Sequence, residues 1–470
     1  MNYLLGTGVV RHIKVLVVGA VLMLLPFISS ADEYYVSPDA SAAWPLCSDI
    51  SQPCSATTAM VNAVAGDFVY FRGGTYNLYY DQSIAPEYYW YRGILNPTNS
   101  GAPDNPITFM AYPNETPVMN AHTDSRFTDI ARAFGTGTAE YIVYDGFVIM
   151  ADSGVRMGGM ILTGHNLGRR ALGLVVKNMV MNGGSTVITS TDNRDGLRIE
   201  MTSHALVQNS MLFNYRQVSN WPNTAAMKMY SNDNLTIENM EIFNSTAAIY
   251  MKSDVDNSVV RNNFLHDNAR AVLGYVYLDK SSDNNEVYNN VIVNNSMGGV
   301  GVTPEEAATA DGWLIYNNTI HNSAAGISAA TGKWSIWNNI IVANTTRSIW
   351  RYGQNILIKS DHNQYGDALN IITGGYTSNP STYLSLSAWQ ASADLQGGGN
   401  PGQGSLSSDP MFANASGTLS ELNDFRLLPA SPSKGTGRLS ADMGANIDAV
   451  GVGSNIIAAK LNGIGSFTVR

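Results

Sequence analysis

The sequence predicts an all-β protein wound as a single-stranded right-handed parallel β-helix with capped ends. Three observations predict it: a composition poor in charge and rich in turn-formers, a short apolar motif ending in Asn that returns down the chain, and the spacing of its copies. Of 470 residues, 44% are hydrophobic and 14% charged, against about 25% charged in an average domain. That is enough apolar chain for a large core, and it excludes a disordered protein. Lys plus Arg total 27 and Asp plus Glu 37, a net charge of −10, so the basic footprint of a nucleic-acid binder is missing. The 44 glycines and the recurring Asn supply turns, while β-branched residues favour strands over helices.

The repeat begins as Ile142-Val143-Tyr144-Asp145 and Val175-Val176-Lys177-Asn178. It continues through strands ending at Asn209, Asn239, Asn262, Asn289, Asn317 and Asn338, at spacings of 33, 31, 30, 23, 27, 28 and 21 residues. These are coil lengths for a solenoid in which each short strand stacks on its counterpart one coil later. Asn suits a sharp turn because it tolerates the left-handed conformation, and its amide can hydrogen-bond along a stack. A propeller would space its blades evenly, and a sandwich gives no reason for the Asn register.

Residues 1–31 read as a signal peptide. Arg11, His12 and Lys14 precede the apolar run Val15–Ile28, and Ser29-Ser30-Ala31 supplies small residues before a cut. The run falls short of the roughly 20 apolar residues of a membrane span. The expected product is secreted or periplasmic, monomeric and free of the membrane after cleavage. In such a compartment Cys47 and Cys54, the sole cysteines, are expected to close one small disulfide loop. The β-helix is expected over 32–375, with residues to about Ala65 capping one end. A long loop and a closing segment are expected over 376–470.

The entry segment Glu33–Asp39, followed by Gly66–Tyr76, resembles the first coil of the pectate-lyase-like right-handed β-helix superfamily. Ser408–Phe412 and Asp424–Pro432 resemble the closing segment of many of its secreted members. The resemblance implies the fold. It leaves the activity open, since this fold carries lyases, hydrolases, epimerases and passive surface proteins.

A second apolar strand lies some twelve residues before each Asn turn. Side chains alternate between faces along a strand, so aligning coils on Asn sends Leu197, Met227 and Ile249 inward, with Ile199, Met229 and Met251. The outward grid is then Arg198, Lys228 and Tyr250 beside Glu200, Tyr230 and Lys252, bordered by Tyr275 and Tyr277. Later coils carry small residues here, Gly298–Val302 and Ala324–Ser328, so the grid is local. Clustered cations on an acidic protein suit an acidic polysaccharide, and aromatic rings suit sugar faces. β-Elimination of a uronate needs a cation for the carboxylate, a base for the C5 proton and an acid for the leaving oxygen. Lys228 among cations, with Arg198, Tyr230 and Lys252 around it, is the expected catalytic set. Tyr250, Glu200, Tyr275 and Tyr277 are the expected substrate contacts.

The stretch Ala226–Tyr230, with an acidic turn one coil earlier, resembles family nine pectate lyases. That resemblance implies Lys228 as base and Asp192 and Asp195 as Ca²⁺ ligands, although the compact Asp-Asp-Gly-x-Asp run is missing. The Lys–Arg pair on adjacent coils also resembles alginate and chondroitin lyases of this fold, which would make Arg198 the partner. Two alternatives stand beside the lyase. A glycoside hydrolase would use Glu200 with Asp192 or Asp195, and a non-enzymatic protein would only bind glycan. His266 and His321 are expected in turns or on the surface.

Overall fold

The computed structural model describes residues 32–452, apart from 82, 84–90, 123–129, 152–156, 186, 190–193, 219–222, 277–279, 305–308, 352–356, 367–370, 374–380, 384, 392–401 and 415–418. The expected signal peptide, Asp192 and Tyr277 lie outside the described residues. The chain winds through three long sheets in turn, of twelve, twelve and eleven strands. The first sheet runs from Glu33–Val36 to Leu357–Asp361, the second from Gly74–Leu78 to Leu406–Ser407, and the third from Ile130–Gly135 to Ser381–Tyr383. Pairing in these sheets is parallel except at one end of the third, where Ile371–Thr373 meets Ser381–Tyr383 antiparallel. A short four-stranded sheet lies at the turn from the third sheet back to the first.

The eight repeat copies form eight successive strands of the first sheet, as their spacing requires. Asn178, Asn209, Asn239, Asn262, Asn289, Asn317 and Asn338 all end their strands in the left-handed region, with φ from 51 to 59°. In the copy ending at Asp145 the next residue, Gly146, takes this role with φ 90°. Asn visits this conformation at less cost than other L-residues.

The continuous amide ladder lies one residue further on. Asn263, Asn290, Asn318, Asn339 and Asn363 are fully buried. The backbone N–H of each of the first four donates to the next Oδ1 at 3.0 Å. Their Nδ2 groups donate to the same oxygens at 2.9–3.0 Å. Nδ2 also reaches back to a strand carbonyl of the preceding coil, as from Asn318 to Val287 at 2.8 Å. A sharp corner leaves N–H and C=O groups that no sheet can pair, and a stacked amide satisfies both kinds. The left-handed Asn residues make only partial contacts of this sort, such as Asn289 to Asn262 at 2.7 Å.

Helix Ala56–Asn62, capped by the Ser55 side chain accepting from the Thr58 N–H, buries Ala59 and Met60 against the first coils. At the other end Leu406–Ser407 adds the last strand of the second sheet, and the chain then turns back. Phe412, Phe425, Met443 and Ile447 pack on Phe264, Val291, Val293, Ile340 and Val342. The segment reaches as far back as Asn262, whose carbonyl accepts from the Gly451 N–H at 2.8 Å. It thus lies along the flank rather than over the end, because the second sheet's outward Val and Ile residues need apolar cover. Cys47 and Cys54 differ from expectation: both are buried free thiols. The Cys47 thiol donates to the Trp44 carbonyl at 2.9 Å, and burial pushes the pKa of both thiols up. Among the described residues no helix is long and apolar enough to cross a membrane.

Two outcomes follow from this packing. Asn318→Ala strands the Asn290 N–H and the Val287 carbonyl in the core, so it should cost at least about 2 kcal/mol in urea unfolding. His321 packs against Phe425, ring centres 5.5 Å apart, and burial pushes its pKa down to about 4. Its unfolded pKa is near 6.5, so the unfolded chain takes the proton first and stability falls as pH drops from about 6.5 towards 4. A His321→Leu variant should lose less melting temperature over that range than the parent.

Candidate active site

The site is carried by four neighbouring strands of the third sheet, Arg194–Glu200, Thr224–Tyr230, Ala247–Lys252 and Arg270–Val276. Their register is the one that alternation predicts. Leu197, Met227 and Ile249 stack inward, as do Ile199, Met229 and Met251, all fully buried. Arg198 pairs with Lys228, Lys228 with Tyr250, Glu200 with Tyr230, and Lys252 with Tyr275.

Alternation fails at one place, with consequences for Asp195. Ala226 and Met227 both enter the core, whereas Ala225 lies outside with Tyr250. Asp195 is in register with Ala225, so this bend brings its carboxylate to the same outer face as Arg198 and Lys228. Asp195 therefore belongs to a strand rather than to an acidic turn. Its Oδ1 lies 2.9 Å from Lys228 Nζ and its Oδ2 3.2 Å from Arg198 Nη1. Arg198 Nε donates to Glu200 at 2.9 Å. Lys228 Nζ also donates to the Asn223 carbonyl and sits 5.3 Å from the Tyr250 ring centre. The Tyr230 ring lies between Arg198, at 4.9 Å, and Lys252, at 5.6 Å.

Burial divides this constellation. Asp195, Lys228 and Tyr250 are fully buried and Tyr275 nearly so, while Arg198, Glu200, Tyr230 and Lys252 keep part of their surface. Tyr250 and Tyr275 pack with Ala225, Ala247 and Leu273 in a small apolar cluster outside the main core. They are walls of the site and not the open sugar platforms that the sequence suggests. Burial pushes the Lys228 pKa down to about 8, helped by Arg198 and Lys252 and opposed by Asp195. Burial raises the Asp195 pKa, but Lys228, Arg198 and Arg132 outweigh it and hold the carboxyl below its usual range. Arg132, buried on the strand Ile130–Gly135, was not expected here. It precedes the regular repeat, on a strand whose pairing slips between Arg132 and Phe134, so Asn alignment does not reach it.

Asp195 is a poor Ca²⁺ ligand as placed, because Lys228 and Arg198 take both its oxygens. In the second acidic stretch Asp254 faces Arg170 and Lys280 at 3.5 and 3.7 Å, and Asp256 accepts the Asp283 N–H. Among the described residues no three His, Cys, Asp or Glu side chains gather to hold a metal. Among the described residues, Asp195, Asp254 and Asp256 do not supply the six to eight oxygens that Ca²⁺ takes. His266 and His321 end strands of the second sheet instead of occupying turns, and His266 stacks on Phe264 at 4.2 Å.

Comparison with known proteins agrees with this architecture. Residues 175–345 match the family model described as the right handed beta helix region. A pectate lyase, Pel9A, superposes with a TM-score of 0.54 at 15% identity, covering 91% of this chain and 98% of that one. XylC in complex with xylose gives 0.43 at 9%, covering 73% and 85%. A mannuronic acid specific family 6 lyase from human gut microbiota gives 0.39 at 11%, covering 71% and 86%. No curated protein matches the chain. The fold is thus a right-handed parallel β-helix.

The ion network makes an asymmetric prediction. Asp195→Asn removes the buried carboxylate that Lys228, Arg198 and Arg132 share and should cost about 3–5 kcal/mol. Lys228→Met should cost less, since Asp195 keeps two cations. Urea unfolding of the two variants tests the order, and an equal loss would contradict it.

Proposed function

We propose that this face of the third sheet is the active site of a polysaccharide lyase that cleaves an acidic, uronic-acid-containing polysaccharide by β-elimination. The observation that carries the reading is Lys228, a lysine whose pKa burial lowers to about 8, set between Arg198 and Lys252. A base for a C5 proton should lose its own proton near the working pH, and an ordinary lysine, near 10.4, does not. In this reading Lys228 Nζ takes the C5 proton and Arg198 neutralises the uronate carboxylate. Tyr230, partly exposed between Arg198 and Lys252, gives a proton to the leaving oxygen. Lys252 adds positive potential, and Glu200 keeps Arg198 oriented through its 2.9 Å contact. Because Lys228 has no exposed surface, its contact with Asn223 must open before Nζ meets a substrate. The Ca²⁺ expected by resemblance has no role in these steps.

The likeness to Pel9A supports the fold on which such a site would sit. A hydrolase fits less well. It needs a carboxyl that stays protonated to serve as acid, and Asp195 is held below its usual range. One observation favours a second reading, a glycan-binding protein without catalysis: a fully buried Lys–Asp pair can simply be structural. The acidic substrate, the export and the monomeric state remain part of the proposal.

Elimination creates a C4–C5 double bond that absorbs in the ultraviolet, and hydrolysis does not. Absorbance should rise when the mature protein meets polygalacturonate, alginate or a glycosaminoglycan, and the rate should climb through an apparent pKa near 8. Lys228→Ala should lower kcat by about 10²–10⁴-fold, the usual worth of a positioned base. New reducing ends without absorbance would move the chemistry to hydrolysis, and neither signal would leave the binding reading.

A further inference from the structure

Beyond Lys228, one outward column of the third sheet runs Tyr250, Leu273, Gly301, Ser328, Trp350 in strict register. Beside it Arg270 pairs with Gly298, and Ala325 with Arg347. For two coils, at Gly298 and Gly301 and then at Ala325 and Ser328, the sheet surface is floored by small residues. At each end it rises to a bulky side chain and an arginine, Leu273 with Arg270 and Trp350 with Arg347. The Arg347 guanidinium lies 3.7 Å from the Trp350 ring centre. The result is a cleft of about 120 Å³ lined by Arg270, Leu273, Gly298, Gly301, Ser328 and Trp350. That is of the order of the roughly 150 Å³ cavity that takes one benzene ring. Leu273 and Trp350 are three coils apart, roughly 14 Å at about 4.8 Å per coil.

A Cβ on Gly301 would come within 3.3 Å of Ser328, so packing accounts for that glycine, but it does not account for Gly298. A Cβ on Gly298 would meet nothing nearer than a carbonyl at 3.7 Å, and no left-handed φ requires glycine there. By contrast, Gly299 and Gly326 on the same strands face inward, where a Cβ would come within 2.6 Å of backbone oxygens or core side chains. Packing accounts for those two glycines and leaves Gly298 unexplained. An open floor with an aromatic wall at one end and Arg270 at the other is what an anionic ring needs: shape for the ring, charge for its carboxylate.

We propose that this cleft is a subsite for one uronate residue of the acidic chain, seated over Gly301 and Ser328 against Trp350, with its carboxylate towards Arg270. The subsite rests on the lyase reading for its ligand class, and it would hold the polysaccharide along the third sheet three coils from Lys228.

Calorimetry with hexagalacturonate, hexamannuronate and neutral cellohexaose tests this, on parent, Trp350→Ala and Gly298→Val proteins checked for parental melting temperature, with Lys228→Ala assayed for elimination alone. Trp350→Ala and Gly298→Val, the first removing the wall and the second filling the floor, should each weaken the bound acidic hexamer about tenfold or more. Lys228→Ala serves only to report the loss of elimination. If both cleft variants bind like the parent while Lys228→Ala abolishes elimination, the subsite is wrong and the lyase reading stands. Equal affinity for cellohexaose overturns the carboxylate assignment. If the parent neither binds nor cleaves an acidic chain, both readings fall.

Discussion

Five buried asparagines, Asn263, Asn290, Asn318, Asn339 and Asn363, hold successive coils in one register, and the outward columns of the third sheet depend on that register. Each amide answers the unpaired groups of a sharp corner and at the same time fixes the next corner above it. A slip of one residue in any coil would turn its core side chains to solvent. It would also take the grid apart, since Arg198, Lys228 and Tyr250 come from three separate coils and meet only through stacking.

On that frame the site concentrates positive charge in a low-dielectric setting. Arg132, Arg198, Lys228 and Lys252 outnumber Asp195 and Glu200 in a patch of a protein whose net charge is −10. Burial penalises the charged form of Lys228, and the neighbouring cations add to the penalty. Asp195 prevents a larger fall and keeps three cations together. The same arrangement therefore lowers a lysine towards neutrality while the arginines keep their charge.

Much of this was legible in the sequence. Two periodicities carry the information: the Asn-ended motif aligns the coils, and alternation then assigns each strand residue to a face. Together they place Leu197, Met227 and Ile249 inward and Arg198 beside Lys228. What escaped is what neither periodicity encodes. Asp195 reaches the site because alternation breaks at Gly196 and Leu197, a local bend with no residue signature. The burial of Tyr250 and Lys228 depends on packing around the face and not on the strands themselves. The ladder was placed one residue early, although the Asn-Asn pairs at 262–263, 289–290, 317–318 and 338–339 hold both roles, the turn and the buried amide. In sequence the small residues of Gly298–Val302 and Ala324–Ser328 mark only where the grid stops, since small residues mean space only when their neighbours are large.

The central claim is that the third-sheet fold lowers Lys228 to a usable base. Nuclear magnetic resonance of ¹³C-labelled lysine, with the Lys228 signal assigned by its loss in Lys228→Met, measures this without any substrate. The account predicts that Lys228 gives up its proton near pH 8. A Lys228 that remains protonated above pH 10, as an ordinary lysine does, would contradict it.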